Sequence, residues 1–462
     1  MEQKSVKKME TVPINKLMLS MGIPVIISMM LQAFYNIADS FFVSNMEGGE
    51  DALNALTLAF PVQMLMIAIG IGTGVGVNVL LAKSLGQQDR EKASSVAGNA
   101  VFLGLIITLA FILFGIFGVK PYIATQTSNQ IIYDTAVEYL QICCICSVGV
   151  AFFGIFEKML QATGMSLLST IAQISGAVIN IVLDPIMIYG LLGFPELKAA
   201  GAAYATVIGQ IASFLIALVF HCKSNKSVDK SIRHIKPQAK LIKEIYAIGL
   251  PAIIAQALMS FMTYGINIIL VQVNEALVTA YGLYYKIQQF ILFASFGLRD
   301  TITPIVSFSH GMNNKKRIID GIKYGVLYTF IIMAIGTIAL ELFAVPLCSV
   351  FKLSGTTEKL CISAVRIIST GFIFAGTSIA LQGVLQALDC GVSSLIISIC
   401  RQLVFILPIA WIFTFFVTDD LVNAWIVWIT FPIAEIITAA IGIGLIFKNY
   451  NKKITGKYVQ AH

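Results

Sequence analysis

Charge is scarce in this 462-residue sequence. Asp, Glu, Lys and Arg make up 12% of it, about half of the roughly 25% usual in soluble domains. Hydrophobic residues make up 57%, and the mean hydropathy is +0.86, so most of the surface faces lipid. A soluble enzyme, a nucleic-acid binder and a disordered regulator are thereby excluded. Histidine is scarce as well, with four copies, and HExxH and GxSxG are absent, which leaves protease or hydrolase chemistry without a centre. No Walker A sequence occurs, so an ATP-driven pump would need its motor from another chain. The chain is not read as an enzyme and no cofactor is expected. The eight cysteines lie mainly in apolar stretches. Cys143 and Cys146 form a lone CxxC without a second pair or a nearby His, which reads as buried small residues rather than a zinc site.

What is abundant is long apolar runs. Those between polar breaks predict twelve membrane-spanning helices, since a bilayer core takes about 20 apolar residues per helix. They cover 17–44, 53–82, 94–118, 137–159, 167–193, 200–221, 244–273, 277–308, 321–350, 359–386, 391–417 and 420–447. The first is long, carries Asp39 and precedes no small-x-small site, so it is read as a span rather than a cleaved leader. Lys and Arg fall unevenly about these spans. Of 31, 23 lie on the side of the N-terminal arm, five on the other side (Lys120, Lys198, Lys286, Lys352, Lys359), and three arginines lie within spans. The positive-inside rule then puts both termini in the cytoplasm, for a multi-pass protein of the plasma membrane.

The most basic connection, residues 222–243, divides the chain into an N-terminal lobe (1–221, spans 1–6) and a C-terminal lobe (244–448, spans 7–12), followed by a cytoplasmic tail (449–462). Weak self-similarity follows this division. Gly22-Ile23-Pro24 recurs as Gly249-Leu250-Pro251, and Leu160-Gln161-Ala162 as Leu385-Gln386-Ala387, at offsets of 227 and 225. The expected fold is an all-α membrane protein: twelve transmembrane helices in two six-helix lobes related by a pseudo-two-fold axis along the membrane normal. An even number of spans per half makes the repeats parallel, an arrangement suited to alternating access.

Ionisable residues inside spans are costly and mark function by default. On span 1, Asp39 shares a helical face with Gln32, Tyr35 and Asn36. On span 5, Asp184 follows Asn180 by one turn. Span 6 carries Thr206 and, one turn on, Gln210. Counted from the outer connections, Asp39, Asp184 and Thr206 lie in the outer half of the membrane, within roughly one turn of each other in depth. Two carboxylates, an amide and a hydroxyl at one level could hold Na⁺, or take up a proton where burial and repulsion raise a carboxyl pKa. Hydrogen-bonded ties between helices are the structural alternative. The second half has Arg299 and Asp300 on span 8, Arg401 on span 11 and Glu435 on span 12. Paired as Arg401–Glu435 and Arg299–Asp300, or as a cross-pair, these are expected to be neutralised ion pairs, with Glu435 on a substrate path as the sharper reading. Glu157 and Lys158, at the inner end of span 4, are expected to snorkel to the interface. Gly70, Gly72, Gly74 and Gly76 lack the GK[ST] ending of a phosphate loop and are read as a close-packing stripe.

These pieces resemble the prokaryotic branch of the multidrug and toxic compound extrusion (MATE) family. The resemblance rests on Pro24 with Gln32, Tyr35, Asn36 and Asp39; Leu85-Gly86 with Asp89; Leu160 to Gly164; Asn180-x-x-x-Asp184-Pro185; and Gly201-Ala202-Ala203 before Thr206. It covers nearly the whole chain. It implies a secondary antiporter that exports organic, often cationic and amphipathic compounds in exchange for Na⁺ or H⁺; a monomer is expected. By position, Asp39, Asn180, Asp184 and Thr206 match the family's N-lobe cation site (the Na⁺ ligands if sodium is the coupling ion), and Tyr35 matches a tyrosine beside it. Gln32, Asn36 and Glu435 are candidates for the substrate path. Some members carry an acid on span 7, where this chain has Met259, Thr263 and Asn267, so coupling is expected in the N-terminal half. The rival reading is a lipid-linked oligosaccharide flippase of related architecture, which needs basic residues for pyrophosphate; only Arg299, Arg366 and Arg401 are available. A membrane sensor without transport would usually carry a soluble domain, and none is read here.

Overall fold

The computed structural model describes residues 2–46, 48–349, 355–418, 421–450 and 453, with 2–5, 35–40, 44, 50 and 232 described by backbone alone. The described residues are almost entirely helical and include no strand. In chain order the helices are α1 (Glu2–Thr11), α2 (Ile14–Ser44), α3 (Gly49–Gly86), α4 (Arg90–Leu113), α5 (Val119–Ala124), α6 (Gln130–Ile145), α7 (Val148–Ala162), α8 (Ser166–Ile188) and α9 (Lys198–Ser224). They continue with α10 (Ala239–Val271), α11 (Glu275–Gly311), α12 (Lys315–Ser349), α13 (Gly355–Ser369), α14 (Phe372–Ala387), α15 (Gly391–Ile399), α16 (Ile406–Thr414) and α17 (Thr430–Tyr450).

Among the described residues, ten helical stretches are long and apolar enough to cross a bilayer singly. Two bent pairs pass the same test when each is taken together, α6 with α7 at 45° and α13 with α14 at 51°, which makes twelve spans if each pair is one. The apolar runs in the sequence read each as one span. At each bend a glycine meets a helix distant in sequence. Gly371 sits where a Cβ would be 3.0 Å from the Cα of Pro432, and Gly149, just after the first bend, presses on the α9 backbone, where a Cβ would be 2.7 Å from the Ile211 nitrogen. Two spans also contain a π-turn, Phe114–Gly118 and Cys400–Val404, an insertion often found at functional positions. Side chains such as Phe117, Leu342, Trp411 and Phe447 stand exposed, as lipid-facing residues do.

The chain divides into two compact units. The first comprises Met1–Val12 and Ile23–Ile253, the second Pro13–Gly22 and Ile254–His462. One core gathers Ala55, Ala59, Leu140, Ile188 and Ala203; the other gathers Tyr281, Tyr284, Ile379 and Trp428. The repeat is visible as matching hydrogen bonds. After α3, Gln88 takes φ +60° and Asp89 N–H bonds to Ser84 O (3.0 Å); after α11, Asn313 takes φ +54° and Asn314 N–H bonds to Ser309 O (3.1 Å). After α7 and α14 the pattern returns, with Met165 to Leu160 (2.9 Å) and Cys390 to Leu385 (2.8 Å). These are helix-ending bonds of the Schellman type, each displaced by 225 residues. Asn78 Nδ2 donates to Lys158 O (3.0 Å), and Thr303 Oγ1 to Gly383 O (3.4 Å), at the same offset.

The glycine stripe of α3 serves two neighbours in the first unit. A Cβ on Gly70 would be 3.3 Å from Val150 O and one on Gly74 2.7 Å from Gly154 O, both on α7; one on Gly72 would be 3.0 Å from Gly249 O of α10. Alternating glycines thus let two helices approach α3 at backbone distance. The basic connection is also folded. Asn99 of α4 accepts from Gln238 N (2.8 Å) and donates to Lys236 O (3.3 Å), and Ser94 Oγ accepts from Asp229 N (2.8 Å).

Candidate functional site

The crossing of α8 and α9 organises the site. A Cβ on Gly209 would lie 2.7 Å from Gly176 O and 3.0 Å from Asn180 Cβ, so the absence of a side chain brings the two backbones together. This closeness lets Asn180 reach Thr206 on α9 as well as Asp184 one turn on along its own helix. Its Nδ2 donates to Asp184 Oδ1 and to Thr206 Oγ1, each at 3.4 Å. Asp184 is fully buried, Asn180 nearly so, and Thr206 is 9% exposed. Asn180 Oδ1 has no hydrogen-bond partner among the described residues. Three of the sequence-derived site residues are therefore together. The side chains of Tyr35, Asn36 and Asp39 lie outside the described residues.

Asn180 and Thr206 also line a cavity of about 100 Å³ within the first unit. Ser28, Gln32, Glu157, Gln173, Gln210 and Ser213 supply its other polar side chains, and Met29, Ile71 and Phe153 are among its apolar ones. Gln32 Oε1 accepts from Gln173 Nε2 at 2.9 Å, joining α2 to α8. Gln173 and Ser213 were not singled out in the sequence, although spacing was a usable signal. Gln173, Gly176, Asn180 and Asp184 recur on one face of α8, and Thr206, Gly209, Gln210 and Ser213 on one face of α9.

Glu157 and Lys158 require a correction. Neither snorkels: Glu157 is 4% and Lys158 2% exposed. Lys158 Nζ lies 3.8 Å from Glu157 Oε1 and donates to Gln161 Oε1 (3.2 Å), while Gln161 Nε2 donates to Glu157 Oε1 (2.8 Å). The cause is packing against α3. Gly74 leaves room for the lysine stem, whose Cγ would be 2.8 Å from a Cβ there. With the stem held inside, the ammonium is satisfied on its own helix by a carboxylate and an amide. Glu157 thereby becomes a wall of the cavity, a role that proximity to the helix end conceals.

In the second unit, Arg401 Nε donates to Glu435 Oε1 at 2.7 Å, and Arg299 pairs with Asp300 at 3.0 Å over the ring of Phe296. Both expected pairs are present. Arg401 is held by the π-turn, and Glu435 is buried beside it. Arg366 approaches Glu341 at 4.0 Å.

Known proteins match nearly the whole chain in sequence and fold. The MatE family model matches residues 24–186 and again 251–412, two stretches that begin at Pro24 and Pro251. Multidrug export protein MepA of Staphylococcus aureus (strain bovine RF122 / ET3-1) is 26% identical over 412 residues, covering 87% of this chain and 88% of that protein. MepA of Staphylococcus haemolyticus (strain JCSC1435) is 24% identical over 448 residues, 96% of each. A solved structure of a multidrug resistance MATE family transporter of the MOP superfamily, in an outward-facing conformation, is 26% identical. It superposes with a TM-score of 0.90 over 98% of this chain and 100% of that one. A MOP superfamily transporter from Pyrococcus furiosus, described as having a binding pocket of reversed polarity, gives a TM-score of 0.89 at 26% identity over 98% and 99%. With a twice-matched family model, a repeat written into its helix ends and a helical fold shared with solved transporters, this chain belongs to the MatE family of membrane transporters.

Proposed function

We propose that the protein is a plasma-membrane antiporter that exports organic, often cationic compounds in exchange for Na⁺ or H⁺, with both termini in the cytoplasm. The observation that carries this reading is the bridge made by Asn180 between the buried Asp184 and Thr206, on the wall of a cavity that also presents Glu157. Asn180 Oδ1, the Asp184 carboxylate and the Thr206 hydroxyl are hard oxygen donors of the kind Na⁺ takes, and a carboxylate equally takes a proton. Asp39 completes the set by sequence position. The cavity, about 100 Å³, is smaller than the roughly 300–1,000 Å³ of drug-sized pockets. It suits an ion with its water, or one end of an amphipathic cation whose remainder lies elsewhere.

Ionised and empty of cation, Asp39 and Asp184 favour a positively charged substrate. Na⁺ or H⁺ arriving from outside neutralises them, α2 repacks about Pro24, and the substrate is released. Coupling comes from the different affinities of each ligand for the two states. The flippase alternative finds less support, since Arg299 and Arg401, which would hold a pyrophosphate, are occupied by Asp300 and Glu435.

The test is reconstitution in liposomes with a fluorescent organic cation under imposed Na⁺ and pH gradients in turn. Gradient-driven movement that responds to one of the two ions is expected, with Asp39→Asn and Asp184→Asn folded but unable to couple. Full transport by either variant would overturn the reading.

A further inference from the structure

Cys348 and Cys361 are thirteen residues apart in sequence, yet their sulfurs lie 3.2 Å from each other, and both side chains are fully buried. Cys348 occupies the last turn of α12 and Cys361 the second turn of α13. Small residues bring the two helices close there: Ala344, one turn before Cys348, and Ala364, one turn after Cys361, are both fully buried in the same core. Below them, Thr337 Oγ1 of α12 donates to Ser369 O of α13 (3.0 Å). The sulfurs are thus held in register by packing on both helices. In the proposed orientation, the connection between α12 and α13 is on the outer side of the membrane, the compartment in which disulfides form and persist.

We propose that Cys348 and Cys361 form a disulfide that ties α12 to α13 at their outer ends. The inference rests on the proposed orientation. The bond forms by thiol–disulfide exchange with an organic disulfide outside the cell. One cysteine thiolate attacks it and expels a first thiolate. The second cysteine, deprotonated, then attacks the mixed disulfide and expels the other. The two protein sulfurs are oxidised, the organic disulfide is reduced to two thiols, and these take up the two protons. Exchange takes place as the segment folds, before the core closes over both sulfurs. The product closes a short loop and so constrains the unfolded hairpin.

The test uses the full chain, taken from membranes with free thiols blocked at lysis and denatured without reductant. Cys348 and Cys361 should resist alkylation until reductant is added, and mass spectrometry should find their peptides joined and lighter by two hydrogens. In Cys348→Ser, Cys361 should alkylate without reductant. Exposed Cys222, on the inner side in the same orientation, serves as an internal reporter and should escape a membrane-impermeant thiol reagent applied to intact cells. Alkylation of both Cys348 and Cys361 before reduction, with Cys222 protected, overturns the cross-link alone. Labelling of Cys222 from outside overturns the orientation, and with it the oxidising compartment the bond depends on.

Discussion

Arg401 and Glu435 offer the sharpest measure of what an intramembrane ion pair does in this protein. Their side chains are each 10% exposed and meet at 2.7 Å. At an effective dielectric constant of about 20, that separation corresponds to an attraction of about 6 kcal/mol, most of which desolvation of the two ions offsets. Arg401→Met removes the cation and leaves Glu435, whose Oε2 has no hydrogen-bond partner among the described residues. The expected cost is about 3–5 kcal/mol, as for other buried pairs that lose one member. Arg401→Met/Glu435→Leu removes both charges and should return to within about 1 kcal/mol of the parent. The assay is a double-mutant cycle by thermal and denaturant unfolding in detergent, with liposome transport measured on each variant. A double variant as unstable as Arg401→Met would refute the electrostatic account. One that is stable but fails to transport would make Glu435 part of the substrate path rather than a structural counter-ion.

Gly209→Ala tests the helix crossing beneath the cation site. Its Cβ would meet Gly176 O at 2.7 Å, so α9 must move and the 3.4 Å bond from Asn180 to Thr206 should break. Transport is expected to fall by roughly tenfold or more, at a stability cost of about 1–3 kcal/mol. Gly444→Ala, with nothing within 4 Å of its Cβ, is the control, and equal effects of the two would defeat the argument. Asp229 should make the connection between α9 and α10 acid-sensitive. The Ser231 backbone N–H, followed by His234 and Arg233, holds its carboxyl below the usual carboxylate range. A lowered folded-state pKa contributes stability that is full above the unfolded value and is lost as pH falls through the folded one. Protease cleavage within 226–236 should therefore rise below about pH 4, and Asp229→Asn should remove that pH step. Glu157→Gln and Lys158→Met should each destabilise the first unit more than the double variant does, read by unfolding midpoint. Additive losses would show that the 3.8 Å pair contributes no coupling.

Much of this protein was legible before any coordinates. Bilayer thickness imposes span length directly on composition, so the apolar runs marked the long apolar helices, while the orientation drawn from the asymmetry of Lys and Arg stands as a proposal. The site on α8 was legible for a related reason: a carboxylate and an amide one turn apart must share a face wherever the helix goes. The 225-residue echo in Leu160-Gln161-Ala162 and Leu385-Gln386-Ala387 proved to mark paired helix ends with matching hydrogen bonds. What the sequence could not reveal was how deep a side chain sits when a neighbouring helix makes room for it. Lys158 looked like an interface residue because it lies near a helix end, and only the groove left by Gly74 on α3 shows why it stays inside with Glu157. The bends at Cys146–Ser147 and Thr370–Gly371 were hidden likewise, since they arise from contacts with α9 and Pro432 rather than from a local proline. Local periodicity determines which residues share a face. Contact between helices distant in sequence decides how closely those faces meet and which charges are buried between them.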